Sequence, residues 1–231
     1  MSTLFATNGD WKPNGPVRSI GVQSRSITGT MPDGNRYESS LERDFMLLLQ
    51  FDPAVDVYTP QPLVMRYSGL DGAMHKYTPD GLIEWRTDGL VDDPRPLLVE
   101  IKYRASFKGD WRRWRCLSRA LEAFAHERSW QFRIFTEREI RTPMLTNVTF
   151  LLPYRNRAST PETEQWVLEF LEQLIESTPG TLISLLYQDK WNQAALLPVV
   201  WKLMAQRRIC FHFDEPLTME SPIWSVTRGT R

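Results

Sequence analysis

Apolar and polar positions change period several times along this chain. In "SSLERDFMLLLQ", residues 39–50, Glu42, Phe45, Met46 and Leu49 recur at the spacing of one helical face. Ser39 and Glu42 stand three apart at its start, as in a capping box, so the pattern predicts a helix over 39–50. Short β-type runs separated by turn signals come next. They predict strands near 61–67 and 74–85, joined by a hairpin at Ser68-Gly69 and Asp71-Gly72. A loop rich in Pro and Asp, 87–96, leads into "LLVEIKY", whose unbroken apolar run reads as a buried central strand. Helical spacing returns over 110–128 through Trp114, Leu117, Leu121 and Phe124, and "QFRIF", 131–135, is another strand. Helix, three antiparallel-type strands, helix and strand make an α/β sandwich.

A polar stretch, "YRNRASTPETEQ", residues 154–165, reads as a linker. Beyond it lie three helical patterns, at 162–176, 180–188 and 193–206, then two short β runs, "ICFHF" and "IWSV". Three helices and a two-stranded ribbon are the plan of a winged helix. The expected organisation is an N-terminal arm over 1–36, an α/β domain over 37–159 and a winged-helix domain over 160–231.

Composition narrows the class. The chain has 231 residues, 42% of them hydrophobic, which is globular. Its formal charge is zero, but residues 1–159 carry 22 Lys and Arg against 19 Asp and Glu, and residues 160–231 carry 6 against 9. The densest basic cluster is 102–119, with seven basic residues and one acid. Lys108, Arg112, Arg113 and Arg115 within it are candidate contacts to DNA phosphates, while Trp111 and Trp114 are read as packing residues. Cys116 and Cys210 are too few and too far apart for a disulfide framework, and they read as reduced core residues. No apolar run approaches the ~20 residues of a membrane span, and the first residues lack the order of a signal peptide. A cytoplasmic location is expected.

Candidate chemistry lies in the strands. Glu100 and Lys102 are two apart, so their side chains share one face of an otherwise apolar strand. Burying either charge costs several kcal/mol unless it is paired or ligated. Asp80 follows a proline at the mouth of the preceding strand, where Pro-Asp usually marks only a turn. If the two strands are sheet neighbours, the Asp80 and Glu100 carboxylates converge. Hard carboxylate oxygens bind Mg²⁺, with Mn²⁺ as an alternative, and the Ile101 carbonyl would be a third oxygen. Lys102 could then orient a water or offset charge on a phosphate. That is the logic of a metal-dependent nuclease. Glu42, embedded in its helix's apolar stripe, should point toward the sheet as a fourth member, with Glu38 as its rival. His75, His126 and His212 have no metal-ligand spacing.

The order and spacing of "SSLERDFMLLLQFDPAVDVYTPQP", "YTPDGLI" and "LLVEIKY" resemble the TnsA family, the endonuclease subunit of heteromeric cut-and-paste transposases. The likeness is close over 37–104, and "FTEREIRTPMLTNVTFLLPYRN" carries it onward. It implies a restriction-endonuclease-like core followed by a winged helix, with Glu42, Asp80, Glu100 and Lys102 as the active site. Some members carry Gln where this chain has Glu100. Gln61 also matches the family strand, and it faces either the site or the opposite side. The resemblance further implies cleavage of the 5′ strand at transposon ends in a bacterium. Its implied partners are DNA, an integrase-type transposase subunit and an ATPase regulator. The third C-terminal helix, "NQAALLPVVWKLMAQ", offers few base-reading side chains, so the C-terminal domain is expected to dock protein. The rival readings are a stand-alone restriction or repair nuclease and a catalytically silent scaffold.

Overall fold

Every residue of "LLVEI" is buried, because this strand lies inside a four-stranded mixed sheet. The structure is a computed structural model and describes residues 28–32 and 34–226. In chain order the first unit contains β1 (Gly29–Thr30), β2 (Arg36–Tyr37), α1 (Ser40–Phe51), β3 (Val55–Pro60), β4 (Met65–Ser68), β5 (Met74–Tyr77), β6 (Gly81–Trp85) and β7 (Leu97–Ile101). It continues with α2 (Arg104–Gly109), α3 (Trp111–Glu127), β8 (Gln131–Phe135) and α4 (Glu137–Ile140). The sheet order is β3-β6-β7-β8. The β3–β6 and β6–β7 pairs are antiparallel, and β7–β8 is parallel, with α2 and α3 forming the crossover that a parallel pair requires.

Alternation along the strands builds two cores. Leu82 and Leu98 meet Leu117, Leu121 and Phe124 of α3 on one face. Ile83, Leu97, Val99 and Ile101 meet Leu41 and Phe45 of α1 on the other. Half of the expected capping box is formed: Ser39 is extended and its Oγ accepts from the Glu42 N–H at 3.1 Å, while the Glu42 carboxylate reaches back to the Glu38 N–H and not to that of Ser39.

Three expectations change. The strand expected over 74–85 is two strands. β5 pairs with β4 in a separate hairpin, whereas β6 enters the main sheet, and Pro79, which has no N–H to donate, lies in the break. β3 was not expected as a strand of its own; it pairs along β6, with a register shift between Val55 and Val57. The compact units divide between Ile140 and Arg141, not at 159/160. Residues 141–159 belong to the C-terminal unit, since the buried Asn147 side chain donates to the carbonyls of Phe213 and Glu215 and accepts from the Leu217 N–H. Of the arm expected over 1–36, residues 1–27 lie outside the described residues, and β1 and β2 form a short ribbon.

The second unit comprises α5 (Pro143–Leu151), a 3₁₀ turn (Leu152–Tyr154), α6 (Pro161–Leu174), α7 (Pro179–Leu186), α8 (Lys190–Ala205), β9 (Ile209–Phe211) and β10 (Ile223–Ser225). Pro161 and Pro179 each open a helix behind a threonine cap, Thr160 and Thr178, where the missing proline N–H costs nothing. Helix α8 buries Leu196, Val200, Trp201, Leu203 and Met204. Its Lys202 binds Glu164 at 2.8 Å, and Arg208 binds the same carboxylate. The antiparallel β9–β10 ribbon closes the unit. Cys116 and Cys210 are free thiols, each half-buried. Among the described residues no helix is long and apolar enough to cross a membrane.

Candidate active site

Pairing of β6 with β7 sets Gly81 opposite Val99, which brings Asp80 beside the end of β7. Asp80 Oδ2 accepts from the Ile101 N–H at 2.7 Å and from Lys102 Nζ at 3.2 Å. The same ammonium lies 2.9 Å from Glu100 Oε1. One cation therefore joins two carboxylates, as the two-residue spacing of Glu100 and Lys102 allows. Glu100 is fully buried; its Oε1 also accepts from the Tyr77 hydroxyl, while Oε2 is buried with no hydrogen-bond partner. Burial and the neighbouring Asp80 push the Glu100 carboxyl well above its usual range. Burial lowers the pKa of Lys102, but Asp80 and Glu100 outweigh it and hold the ammonium charged. Lys102 Nζ also sits 5.9 Å from the centroid of the Trp114 ring.

Glu42 is placed differently. Its helix packs on the opposite sheet face through Leu41 and Phe45. Glu42 Oε1 accepts from Ser39 Oγ and Oε2 from the Glu38 N–H, each at 2.9 Å, so both oxygens serve the helix start. The group still senses the site, because burial and then Asp80 raise its pKa. Glu38 lines the cavity of about 500 Å³ over the site, with Gln61, Tyr77, Asp80, Lys102 and Arg113. Among the described residues no three His, Cys, Asp or Glu side chains converge to hold a metal ion. A cation here would draw on two carboxylates with backbone and water. The partnerless Oε2 and the excess of carboxylate over ammonium fit such a cation.

Two neighbours, Tyr77 and Tyr58, carried no assigned role in the sequence, and a third, Gln61, carried an open one. Tyr77 belongs to the quoted Tyr-Thr-Pro-Asp run, and its bond to Glu100 was invisible there. Tyr58 donates to the Asp80 carbonyl at 3.3 Å and lies against Gly81, where an added Cβ would come within 2.3 Å of its ring. Gln61, left open between two faces, lines the site cavity. It is 7% exposed with φ +47°, its N–H donates to the Asp80 carbonyl at 3.0 Å, and its Oε1 is buried without a partner.

Lys108, Arg112, Arg113 and Arg115 are all exposed, and Arg113 lines the site cavity. Trp114 packs against the core as expected, but Trp111 does not; it is 61% exposed at the start of α3.

Family models match both units: TnsA-like endonuclease N terminal over residues 52–137, and TnsA endonuclease C terminal over 139–213. The chain belongs to the TnsA family. The two models meet near the division of the compact units, and the first spans Asp80, Glu100 and Lys102. No curated protein matches the sequence. As a TnsA family member the chain carries the domains of a DNA endonuclease, and the mixed sheet with helices on both faces is an α/β nuclease core.

Proposed function

We propose that this chain is the metal-dependent endonuclease subunit of a transposase and cuts the 5′ strand at transposon ends. One observation carries the reading: two carboxylates share a single ammonium at a strand edge, and a buried Glu100 oxygen is left without a partner. The second carboxylate helps to hold the ammonium but also repels the first, a cost that a purely structural ion pair need not carry. Asp80 and Glu100, with the Ile101 carbonyl, would hold Mg²⁺ or Mn²⁺. When bound, the ion would polarise a phosphate oxygen and lower the pKa of a water. Lys102 would offset the charge that builds on the phosphate as water attacks. Tyr77 holds Glu100 in place, and the Ile101 N–H does the same for Asp80. Gln61 would bind the water through its unpartnered amide oxygen, and Glu42 would bias the site's charge from the helix start. Arg113 and its exposed basic neighbours would take flanking phosphates.

Partners come from the family reading: DNA ends, an integrase-type transposase subunit and an ATPase regulator. The second unit's three helices and antiparallel ribbon support a winged-helix assignment, and the core before it supports a restriction-endonuclease-like one. In the second unit Lys202 and Arg208 are engaged by Glu164, which supports docking of protein in preference to reading DNA. The test is Asp80→Ala, assayed for strand-specific cleavage of a transposon-end duplex with Mg²⁺ and the partner transposase. Loss of 5′ cleavage in a protein that still folds is expected. Cleavage at near wild-type rate would overturn the assignment.

A further inference from the structure

The site cavity does not end at the site. It shares Asp110 and Arg113 with a second cavity of about 300 Å³, between the β4–β5 hairpin and α3. That cavity shares Leu70 and Cys116 with a third, of about 720 Å³. Cys116 Sγ donates to the Ser68 carbonyl at 3.5 Å and ties α3 to the hairpin where they meet. The three cavities thus follow one another along α3 from the Asp80 region, each sharing lining residues with the next.

The far end has a distinct chemistry. Arg112, Arg115 and Arg119 face it from successive turns, spaced over about 10 Å of helix. Among the described residues none of the three is ion-paired to a carboxylate. Between and beside them lie apolar surfaces that the fold leaves open, Trp111 at 61% and Leu70 at 66% exposure. We propose that this row of cavities binds an unpaired DNA strand flanking the cleavage point, with its phosphates on the arginines and a base stacked on Trp111. The inference rests on the nuclease reading above.

Charge and shape select this occupant. Unpaired guanidiniums call for an anion of regular repeat, which a phosphate backbone provides. Duplex DNA would meet the arginines but has no free base face for the indole; an unpaired strand has one at each nucleotide, and stacking of this kind tolerates any sequence. The chain's own first 27 residues are a poor occupant, since they carry Lys12, Arg18 and Arg25 against Asp10.

The probe is a labelled oligothymidine of ~15 nucleotides, compared with a duplex of equal length by fluorescence anisotropy on the full chain, in EDTA and at low salt. Trp111→Ala should weaken oligothymidine binding about tenfold and duplex binding less than twofold. Its melting temperature should not move, because the side chain is exposed. Arg119→Ala should reduce the salt slope for the single strand by about 0.7, the share of one phosphate contact. Equal loss of both ligands on Trp111→Ala, or loss of neither, would overturn the stacking assignment. Displacement of the labelled strand by polyglutamate more readily than by oligothymidine would make the row of cavities a seat for an acidic protein and also overturn it. Because no step needs cleavage, failure of the nuclease reading and failure of this one register separately.

Discussion

Replacing Lys102 with methionine keeps an unbranched side chain of similar bulk and removes the ammonium, with its charge and its bonds to Asp80 and Glu100. The structure predicts two separable losses. The first is in stability. Removing one partner of a buried ion pair costs about 3–5 kcal/mol. Here the Lys102 side chain is 28% exposed, and Glu100, already pushed toward its neutral form by burial, can take a proton in place of an unpaired charge. The cost should therefore sit at or below the lower limit, about 3 kcal/mol, and leave a folded protein. The second loss is in rate. If Lys102 meets charge that develops only as the phosphate is attacked, its removal should slow cleavage by about 10²–10³-fold, or about 2.7–4 kcal/mol. Single-turnover cleavage of an end-labelled transposon-end duplex, at saturating DNA and with circular dichroism to confirm folding, separates the two. A rate within tenfold of wild type would refute the argument. So would a defect that disappears when DNA is raised, because Lys102 would then anchor phosphate without acting in the reaction.

The same geometry sets other outcomes. Gln61→Gly relieves a backbone held at φ +47°, where a residue with a side chain is strained by about 1 kcal/mol, so its melting temperature should change little while cleavage slows about 10–100-fold; unchanged cleavage would remove Gln61 from the site. Gly81→Ala drives a Cβ to 2.3 Å from the Tyr58 ring and should cost about 1–3 kcal/mol in denaturant unfolding. In a Tyr58→Ala background that cost should largely vanish, and a full cost there would contradict the contact. Hydrogen bonds from Lys202 and Ser159, with Arg208 beside them, lower the Glu164 pKa to about 2. A depressed carboxyl contributes stability that is present above its unfolded pKa near 4.5 and is lost as pH falls toward 2. Glu164→Gln should thus melt below wild type at pH 6, with the gap closing as pH drops from about 4.5 to 2; a gap that stays constant with pH would show that the pairing is not its source.

What could be read from the residues depended on how far apart the cause and its effect lie in the chain. The Ser39 cap of α1, the buried strand β7 and the sharing of one face by Glu100 and Lys102 rest on neighbours within a few positions, and each is visible as spacing. Asp80 was legible only conditionally, because its meaning depends on which strand pairs with β7. The break between β5 and β6 was missed because "MHKYTPDGLIEW" keeps its β-type composition through Pro79, although the backbone there changes sheet. The unit boundary was missed for a similar reason. A polar stretch after Tyr154 reads as a linker, yet Asn147 is tied to residues 66 to 70 positions further on. Trp111 and Trp114 have the same composition signal and opposite fates: Trp114 packs against the core, whereas Trp111, at the first position of α3, is left exposed.

Two charged clusters among the described residues show why the balance of charges separates a site from a strut. At Glu164 one carboxylate meets two cations, Lys202 and Arg208, and its pKa falls. The cluster is complete as it stands, and a further cation would be repelled. At Glu100 two carboxylates meet one cation, the pKa rises, and an oxygen is buried with no donor. Folding alone does not favour this second arrangement, since a buried carboxylate without a full complement of partners costs free energy that a neutral side chain would save. Its retention at the end of an interior strand, where Asp80 and Lys102 line a cavity with Gln61 and Arg113, is explained if positive charge arrives from outside the chain. A divalent ion would supply that charge, and the same imbalance that weakens the apo fold would then hold the ion in place. Binding of Mg²⁺ or Mn²⁺ should accordingly raise the melting temperature of the wild type and leave that of Asp80→Ala unchanged. An equal rise in both would place the ion elsewhere.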